Sequence, residues 1–596
     1  MQPRVIECDI AVSGAGLGGV AAAIAAARAG QRVCLTEETH WPGGQCTSQG
    51  VSALDEHDHI EQFGGTALYY EFRDRIRSFY AQNHQLAPHA QAATYLNPGA
   101  GWVSRLCFEP RAALSAILDM IVPLIARGLL QLHYGATPVG VSVRAGRATR
   151  LLVSQPEYQR MLEIRATYFL DATELGDLLP LAGIPYRTGA ESRDQTGEPH
   201  ARADGPAPEL TQRFTFPFVL ERCPGGNWTI PKPAGYERNR DSQPYTLTLR
   251  YGAEDKTYKV FETAPGLPGS FWAYRRILAA ANFAPGEFAA DLAMVNWAGN
   301  DFAGGTIIDV SEARRAQLLT AAKDLSLGLL YWLQTEVPRD DGRGHGYPEL
   351  RLRPDVLGTA DGLSQYPYVR ESRRICALTT VREQDVLAGH QTGARAALFR
   401  DSVGVGWYPI DIHGQPGDTA ITGPTRPFQI PLGALLQEHE CIDNLLPAAK
   451  NLGVTHITNG CYRLHPVEWN VGEVAGRLAT FCLEHAVSPS RVRGESQQLV
   501  AFQRCLAGAG VPLFWYPDLG RAHPAWGPAQ LLAVTGLWPA DPAALEFGAT
   551  GALPAPRVAG IARAAGLDPD AIGARACNRA ELARIIAAER LGWRDP

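Results

Sequence analysis

Residues 9–37 decide the fold, and they read DIAVSGAGLGGVAAAIAAARAGQRVCLTE. The apolar residues 5–12 predict one buried strand, and a glycine turn follows it directly. Gly14, Gly16 and Gly19 in this turn fit the pattern G-x-G-x-x-G. The first glycine of that pattern makes the tight turn, the second lets the backbone approach a pyrophosphate, and the third lets the helix pack on the strand. Because a helix N-terminus also offers free N–H groups to phosphates, the stretch predicts a dinucleotide-binding α/β unit.

A second predicted strand, residues 32–36, ends at Glu37, which lies 23 positions after Gly14 (37 minus 14). A carboxylate at about that spacing is typical of a residue that binds ribose hydroxyls. Its negative charge argues against a 2′-phosphate, so NADP is disfavoured at this site. The strand–turn–helix–strand context favours a bound dinucleotide over the alternative, a glycine turn in an α/β domain without a nucleotide.

A second glycine-rich segment, residues 43–50 (GGQCTSQG), follows the second strand directly. A loop at that place is typical of flavoproteins with the two-dinucleotide-binding fold, in which it passes close to the flavin. The sequence holds no second strand–GxGxxG–helix unit, since residues 99–101 lack a preceding strand and residues 508–510 run into Val511-Pro512. We therefore expect FAD as the cofactor and no built-in NAD(P)H domain.

The composition is that of an ordinary globular protein with more than one domain. A chain of 596 residues is too long for one hydrophobic core. With 45% hydrophobic and 19% charged residues, it is neither largely disordered nor a coiled coil. The net charge of -6 and the lack of a dense Lys/Arg run disfavour a nucleic-acid binder. Because no long apolar window and no secretory signal occurs, we expect no membrane span.

The eleven cysteines form no C-x-x-C pair, and their number is odd. A disulfide scaffold or a zinc cluster shows tight paired spacings, so we expect neither, and no metal site. Most of these cysteines are expected to be small buried apolar groups. The pattern predicts a reducing compartment and a cytoplasmic protein.

Further blocks follow in a fixed order: residues 168–177 (YFLDATELGD), 296–301 (NWAGND), 368–374 (YVRESRR), 408–413 (YPIDIH), 444–451 (NLLPAAKN) and 463–476 (RLHPVEWNVGEVAG). With these blocks the chain, from about residue 9 to about residue 483, resembles the FAD-dependent oxidoreductase family of the glutathione reductase/succinate dehydrogenase flavoprotein superfamily. The resemblance implies an α/β fold, in which a Rossmann-type two-dinucleotide-binding FAD domain carries an inserted α+β substrate domain.

The resemblance and the glycine motifs together imply a set of cofactor-binding residues. These are Gly14, Gly16, Gly19, Glu37, Gly43, Gly44, Cys46, Thr47, Asp171, Ala172, Gly176, Asp177, Asn451, Gly472 and Ala475. In such flavoproteins the helix of the last block points its N-terminus at the flavin pyrimidine ring, where its dipole stabilises negative charge. Noncovalent FAD is expected, and attachment through Cys46 or His40 is the disfavoured alternative.

Three departures from the family and its relatives narrow the expected chemistry. Lys450-Asn451 stands where many members have Gly-Arg, which affects the flavin contacts expected there. Val51 occupies the position at which disulfide reductases have the second cysteine of C-x4-C, so dithiol chemistry at Cys46 is disfavoured. The block at residues 168–177 replaces the D-G motif of aromatic hydroxylases, which weakens that interpretation.

Three histidines are candidates for contact with the substrate. His413 is the first choice for acid–base catalysis because imidazole titrates near neutral pH, and the alternative is a structural histidine held by the backbone. His456 and His465 flank the final loop, and His465 lies within the last block. His465 lies near a helix entry, where the dipole disfavours its protonation. We predict a catalytic role for His465 and a substrate contact for His456.

Arg370 and Arg373 are candidates for clamping a substrate carboxylate, since guanidinium binds planar anions bidentately. The alternative is a domain-bridging ion pair with a neighbouring acid. Asn296, Trp297 and Asp301 are predicted to line the substrate pocket, although a tryptophan there is equally consistent with core packing.

The predicted organisation is discontinuous. Residues 1–205 and 366–485 form the FAD domain, residues 206–365 form the substrate domain, and residues 488–498 form a linker. Residues 499–596 form a C-terminal helical module, with helices through Val534 and over 557–565 and 579–588. The module resembles a degenerate S-layer-homology module, and we expect it to pack on the enzyme or to dock a protein partner or a second copy.

Three functions agree with these features. The leading hypothesis is a soluble FAD-dependent oxidoreductase that removes hydride from a small organic substrate and passes electrons to oxygen or a soluble acceptor. The first alternative is a flavin-dependent reductase of a C=C bond. The second, from another class, is a flavin-containing binding or assembly subunit that docks a partner through its C-terminal module.

Overall fold

A computed structural model describes residues 3–251, 254–418, 421–439, 442–573, 575–576 and 578–594. Cys441 and Cys577 lie outside these residues. The nine described cysteines are free, and six of them are buried. Within the described residues no group of histidine, cysteine and acidic side chains is arranged to hold a metal ion.

The strands of the described residues are short and lie in several separate sheets. In chain order they are β1 Arg4–Glu7, β2 Ile10–Ser13, β3 Val33–Thr36, β4 Leu130–His133, β5 Thr137–Arg144, β6 Arg147–Gln155, β7 Arg160–Arg165, β8 Tyr168–Asp171, β9 Tyr186–Arg187, β10 Phe214–Thr215, β11 Phe218–Arg222, β12 Thr248–Tyr251, β13 Glu254–Thr257, β14 Arg276–Leu278, β15 Leu292–Val295, β16 Asp301–Phe302, β17 Leu350–Leu352, β18 Arg374–Ile375, β19 Ser402–Gly406, β20 Ile410–Asp411, β21 Thr422–Gly423, β22 Phe428–Pro431 and β23 Leu445–Pro447.

The helices connect these strands and cover the sheets. They are α1 Leu17–Arg28, α2 Ala67–Asn83, α3 Pro88–Gln91, α4 Pro110–Ala126, α5 Leu178–Ala182, α6 Arg193–Thr196, α7 Tyr236–Ser242, α8 Phe271–Tyr274, α9 Glu312–Thr335, α10 Pro354–Leu357, α11 Glu383–Val386, α12 His456–Tyr462, α13 His465–His485, α14 Pro489–Gly494, α15 Ser496–Gly508, α16 Trp526–Val534, α17 Ala555–Ala564, α18 Pro569–Gly573 and α19 Arg579–Leu591.

A five-stranded parallel sheet in the order β23-β8-β2-β3-β4 forms the centre of the fold. Strands β2, β3 and β8 are buried throughout, as expected for a parallel sheet that is covered on both faces. The helix α1 connects β2 to β3, which is the right-handed crossover of a dinucleotide-binding unit. The predicted α/β fold with a Rossmann-type FAD domain is confirmed.

Two further sheets flank this centre. The sheet β1-β7-β6-β5 is mainly antiparallel and packs its inner face on the apolar side chains of α5. The sheet β14-β15-β11-β17 is antiparallel and belongs, with the 24-residue helix α9, to a separate hydrophobic core. That core lies in the inserted part of the chain and is rich in aromatic side chains.

The first predicted strand, residues 5–12, is wrong in one respect, because the structure divides it into β1 and β2. Strand β1 pairs with β7, whereas β2 joins the central sheet. The division falls at Asp9, whose carboxylate accepts hydrogen bonds from the Arg32 backbone N–H and guanidinium. A charged turn therefore separates two strands that hydropathy alone joins.

The C-terminal helices pack on the rest of the protein. The Arg395 guanidinium donates to the backbone carbonyls of Trp515, Asp541, Ala544 and Leu545. Helix α15 packs on α13, and the side chains of both belong to the main hydrophobic core. Residues 488–498, predicted to be a linker, instead form α14 and the start of α15, because Ser488 caps α14 through the Arg491 N–H.

Helices α1 and α13 approach each other closely along a row of small residues. A Cβ atom on Gly472 would lie 1.9 Å from the Gly18 carbonyl oxygen, and one on Gly476 would lie 2.4 Å from that of Ala22. Both contacts are far inside van der Waals range and involve backbone atoms that cannot turn away. The two helices therefore depend on glycine at these positions for their spacing.

Changing Gly472 to alanine is expected to lower the free energy of unfolding by about 1–3 kcal/mol, because the added methyl group forces α13 away from α1. Thermal unfolding followed by circular dichroism measures the effect. Gly560→Ala is the matched control, since it lies inside α17 with open space around it. There a stabilisation of up to about 1 kcal/mol is expected. Equal unfolding temperatures for the two variants would contradict the close packing.

Candidate active site

A cavity opens at the carboxyl-terminal edge of the central sheet. Its walls come from the turn after β2, the end of β3, the glycine-rich loop, the start of β5 and the turn after β8. The lining residues are Gly14, Gly16, Glu37, Glu38, Thr39, Gly44, Ser48, Gln49, Ala136, Pro138, Ala172, Thr173, Glu174, Asp177 and Tyr366. Ligands of parallel α/β sheets bind at this edge, so the cavity lies where a dinucleotide is expected.

The glycines of the cavity are required by close approach of other chain segments. Gly14 has φ +92°, and a Cβ on it would lie 2.2 Å from the Ala172 carbonyl oxygen. A Cβ on Gly16 or on Gly44 would lie 2.8 Å from Oε1 of Glu174. The glycine turn therefore packs directly on the backbone after β8, and the absence of side chains at Gly16 and Gly44 leaves room for the Glu174 carboxylate.

Glu37 stands at the end of β3 with its carboxylate in the cavity wall. Oε2 accepts from the Ala15 N–H at 3.0 Å, and Oε1 accepts from the Thr39 N–H at 2.8 Å and from its hydroxyl. Burial raises the pKa of Glu37, and these hydrogen bonds counteract the rise only in part. The carboxylate is thus fixed beside the glycine turn, in the position the sequence assigns to a ribose contact.

The cavity fits the predicted FAD on two observations. Gly16, the N-cap of helix α1, has no side chain to cap it, and Glu468 reaches the Gly18 N–H only at 3.4 Å, so this helix N-terminus suits a phosphate. Both amide atoms of Gln49 are buried without a hydrogen-bond partner, although Gln49 lines the cavity. Buried polar atoms of this kind normally have partners, which a bound cofactor would supply. Gly14, Gly16, Glu37, Gln49 and Asp177 are the residues we expect to hold it.

A buried charge network, Glu174–Lys450–Glu468, lies at the N-terminus of α1. Lys450 is 1% exposed and pairs with Glu174 and, at 3.3 Å, with Oε2 of Glu468. Glu468 also accepts a long hydrogen bond of 3.4 Å from the Gly18 N–H and one of 2.5 Å from Gln45. Burial acts against the charge on Lys450, but Glu174 and Glu468 outweigh it and raise the Lys450 pKa. The ammonium group is therefore charged and balances two acids where the cofactor phosphates are expected.

The remaining predicted cofactor residues lie behind the cavity rather than on its surface. Cys46 is a buried thiol that donates to the Gly43 carbonyl, and burial raises its pKa, so it is not a reactive thiolate. His40, the other residue considered for covalent attachment of FAD, is exposed at the surface and contacts Glu157. Asn451 ties the turn after β8 to the turn after β23 by donating to the Asp171 carbonyl at 3.0 Å.

The others support the cavity from within the fold. Asp171 accepts from Thr173 and the Leu178 N–H, and burial raises its pKa to about 7. Thr47 donates to the Pro42 carbonyl. The remaining predicted cofactor residues are small residues at close contacts between chain segments inside the fold: Gly19, Gly43, Gly176, Gly472 and Ala475.

Sequence reasoning missed several residues of the cavity wall. Ser48 and Gln49 stand in the glycine-rich segment 43–50, and Thr173 and Glu174 stand in the block 168–177, so the signal for them was present. Glu38 and Thr39 directly follow Glu37, whereas Ala136, Pro138 and Tyr366 come from distant segments. Tyr366 reaches the cavity because its backbone N–H donates to the Ser48 carbonyl at 3.2 Å.

A second group of polar side chains gathers around His413, after β20. Nδ1 of His413 lies 2.5 Å from Asp301 Oδ2, and Nε2 lies 3.1 Å from Asp411 Oδ2. Burial and Arg370 lower the His413 pKa, but the two carboxylates outweigh them and raise it. The side chains of His413 and Asp411 remain 26% and 36% exposed, whereas Asp301 is 2% exposed. His413 and Asp411 therefore face an open cleft, and Asp301 supports them from behind.

The two predicted arginine clamps are both engaged in ion pairs. Arg370 lies 2.9 Å from Asp301 and also donates to Asn296. Arg373 donates to Asp177 at 2.8 Å and to Asp309 at 2.8 Å, which joins the cofactor cavity to the inserted part of the chain. The geometry thus favours the alternative of a bridging ion pair at both positions, and a substrate contact stays a prediction.

Two of the three predicted histidines are held inside the protein. His465 accepts from the Asp55 N–H at Nδ1, its Nε2 faces the Val51 carbonyl at 3.3 Å, and burial lowers its pKa to about 4. His456 lies between Glu371 and Asp418, at 2.8 and 3.0 Å. Burial acts against its charge, but these acids raise the His456 pKa to about 10. Neither has a free ring nitrogen, so their predicted catalytic and substrate roles stay predictions.

The remaining predicted substrate residues divide between the cleft and the core. Asp301 belongs to the His413 group, and Asn296 contacts Arg370. Trp297 is buried in the aromatic core, its indole N–H donates to the Thr246 carbonyl, and its ring meets Phe271 edge to face. The surroundings of Trp297 therefore agree with the alternative that it packs in the core.

The segment before α13 joins the cofactor cavity to the His413 cleft. Gln45, in the glycine-rich loop, donates to the Arg463 carbonyl at 3.0 Å. The Arg463 guanidinium donates to the Tyr368 hydroxyl at 2.9 Å and lies 3.6 Å from Asp411. One arginine therefore contacts both the loop beside the cavity and the acid beside His413.

Sequence reasoning also missed a buried ion pair between the segment after the glycine-rich loop and the segment after α8. Arg275, just after α8, donates to Asp55 at 3.0 Å, and both side chains are buried. Asp55 follows the glycine-rich loop by five residues, and no motif marks either partner. The pair fixes the end of the loop against the inserted part of the chain.

Comparison with known proteins agrees with this geometry. The model of the family described as FAD dependent oxidoreductase matches residues 9–506. A search of curated proteins found no match to this chain. In the described part of the chain, no helix combines the length and the apolar character needed to cross a membrane.

Several solved flavoproteins are similar to the chain at low identity. The FrdA subunit of E. coli quinol fumarate reductase is 13% identical with a TM-score of 0.31, over 99% of this chain and 87% of that one. The flavin-dependent monooxygenase PieE is 11% identical with a TM-score of 0.27, over 64% of this chain and 52% of that one. L-proline dehydrogenase from P. horikoshii is 14% identical with a TM-score of 0.17, over 33% of this chain and 26% of that one. The chain thus covers less than two thirds of the last two relatives.

Proposed function

We propose, from the premise that this chain belongs to the FAD-dependent oxidoreductase family, that it removes hydride from a small organic substrate bound in the His413 cleft. The chain is an enzyme of that family and uses FAD. FAD when bound supplies the two-electron chemistry, since it accepts or gives hydride. The protein's part is to orient the substrate and to exchange the accompanying proton.

The single observation that carries the proposal is the position of His413 between Asp301 and Asp411. His456 also lies between two acids but is 3% exposed, whereas the His413 side chain is 26% exposed, so His413 is the one of the two that can exchange a proton with a substrate. Asp411 is the more exposed of the two acids, so we infer that the substrate approaches Nε2 from the Asp411 side. Asp301, paired with Arg370, keeps Nδ1 fixed.

In the oxidation direction, neutral His413 takes the proton of the substrate while the hydride leaves. Asp301 and Asp411 then stabilise the imidazolium that forms, so the proton rests on the protein until solvent removes it. Because the pKa of His413 is raised, this direction requires a pH above that value.

The second candidate is reduction of a C=C bond, and the same raised pKa favours it. His413 is protonated below its raised pKa and then serves as a proton donor. In this direction the substrate receives hydride at one carbon and the His413 proton at the other. The two candidates use the same residues and differ in the protonation state at the start.

An anaerobic titration of the holoenzyme separates the candidates. If small hydroxy or amino compounds bleach the flavin absorption band, the dehydrogenase proposal holds. If chemically reduced enzyme is instead reoxidised by an unsaturated acid and not by the oxidised forms of those compounds, the reductase candidate replaces it. Purified protein that contains no flavin under any preparation would contradict both.

The binding or assembly subunit remains the candidate of another class. In support of it, the family match ends at residue 506, and α16 to α19 lie beyond that point. We infer that these helices complete the enzyme, because the Arg395 guanidinium donates to four backbone carbonyls in the segments before and after α16. The S-layer-like character, a protein partner and a cytoplasmic location are kept as predictions.

A further inference from the structure

The guanidinium of Arg213 has no hydrogen-bond or ion-pair partner among the described residues. Its Nε is buried and unpaired. The backbone of Arg213 is nevertheless firmly placed, because its N–H donates to the His413 carbonyl at 2.8 Å and its carbonyl accepts from Arg370 at 2.9 Å. The Arg213 backbone is therefore fixed beside His413, and its guanidinium makes no ion pair with the described residues.

The other arginines of the cleft are committed. Arg370 pairs with Asp301, Arg275 with Asp55, and Arg463 with the Tyr368 hydroxyl and Asp411. Burial lowers the pKa of Arg213 although Asp301 raises it, and guanidinium keeps its charge in either case. Among the described residues Arg213 is therefore the guanidinium of this group with no carboxylate at ion-pair distance, although Asp301 and Asp418 lie near enough to favour its charge.

The segments next to Arg213 hold further buried polar atoms that lack partners. These are both amide atoms of Gln415, Oδ1 of Asp418 and Nδ2 of Asn459. Gln415 is two residues after His413 and 5% exposed, and Asn459 accepts from Gln212, the neighbour of Arg213. A buried polar group without a partner costs about 1–3 kcal/mol. The free amide donors of Gln415 and Asn459, together with Arg213, suit a polar ligand that accepts hydrogen bonds, whereas Asp418 offers it only an acceptor.

We propose that Arg213 anchors the substrate, and that the substrate is a small organic carboxylate. Guanidinium binds a carboxylate through two parallel N–H···O bonds, which gives orientation as well as affinity. The Gln415 amide, with a donor and an acceptor free, suits a second polar group of the same molecule. The proposal rests on the proposed function, because it names the substrate class for the same cleft.

The test is isothermal titration calorimetry of the FAD-loaded full chain at constant ionic strength. The probes are acetate, malonate and benzoate, each compared with its neutral amide. At least one carboxylate is expected to bind saturably, and the corresponding neutral amide is expected not to bind. Arg213→Gln is expected to weaken that binding by at least ~10-fold, as a lost charge-assisted pair would, and Arg213→Lys is expected to recover part of it. Arg144→Gln, at an exposed surface position, is the matched control and should bind like wild type.

The outcomes distinguish the anion site from the proposed reaction. If no carboxylate binds the wild type, or if Arg213→Gln binds as tightly as wild type, the anion site is overturned. If carboxylates bind through Arg213 but no compound bleaches or reoxidises the flavin, the anion site stands and the proposed reaction fails. If a neutral amide is turned over equally by wild type and Arg213→Gln, the reaction stands and the anion site fails. Flavin content and circular dichroism of each variant show that it is folded.

Discussion

Replacing Lys450 with methionine is expected to destabilise the protein by about 3–5 kcal/mol and to weaken its hold on FAD. Methionine nearly preserves the volume of the side chain and removes the charge. Glu174 and Glu468 are then left buried without their common cation, next to the glycine turn at the start of α1. The same two acids repel the phosphates of the cofactor once Lys450 no longer balances them. Urea unfolding gives the stability change, and fluorescence titration of the apoprotein with FAD gives the affinity.

Two controls make this prediction specific. Lys323→Met removes an ion pair with Asp361 whose side chains are both 38% exposed, and less than about 1 kcal/mol is expected there. The double variant Lys450→Met with Glu468→Gln is expected to regain part of the lost stability, because one unpaired carboxylate becomes neutral. If Lys450→Met unfolds at the same urea concentration as Lys323→Met, the network does not have the role assigned to it.

Changing His413 to glutamine is expected to slow flavin reduction or reoxidation about 10²–10⁴-fold, the usual contribution of general acid–base catalysis. Glutamine keeps hydrogen-bonding atoms near Asp301 and Asp411 but does not exchange a proton at neutral pH. The FAD content is expected to stay unchanged, because His413 does not line the cofactor cavity. Stopped-flow absorbance with the compound found in the anaerobic titration measures the rate.

The pH dependence of the rate shows whether the enzyme oxidises or reduces its substrate. Asp411 and Asp301 raise the pKa of His413, so the imidazole keeps its proton up to that raised value and loses it as the pH increases further. An oxidation that needs neutral His413 therefore speeds up as the pH passes through this value, and a reduction that needs the imidazolium slows down. In His413→Gln this limb of the profile is expected to disappear.

The surface variant His390→Gln is the matched control and should keep both the rate and the pH profile. A His413→Gln enzyme that reacts within a factor of about three of wild type would show that the proton is exchanged elsewhere.

The sequence predicts the nucleotide-binding half of the molecule well, because local rules determine it. The glycine turn, α1 and Glu37 follow one another within thirty residues, and each has a function that its own residue type reveals. The sequence also predicts helices over residues 112–126 and 314–333, and α4 and α9 start and end within two residues of these bounds. Periodicity and helix capping involve residues only a few positions apart, so they can be recognised in a single sequence.

The cleft was predicted only in part, because its residues come from distant segments. His413 and Asp301 were each singled out, but their contact across 112 positions depends on the pairing of β10 with β16. Arg213 carries no motif, and it becomes conspicuous only when the other arginines are seen to be paired. Arg370 and Arg373 show the reverse, since a residue type suited to binding anions is here neutralised by internal acids.

The contact between α1 and α13 also bears on how the chain is made. Gly18 and Glu468 are 450 positions apart, yet they meet at the N-terminus of α1. Strand β23 likewise joins the central sheet beside β8 long after the first strands have been synthesised. While the ribosome is still translating the middle of the protein, the first helix therefore has an uncovered apolar face and no complete cofactor cavity. The nascent chain acquires its ability to capture FAD only after β23 and α13 have been synthesised, and until then it is exposed to aggregation and to chaperones.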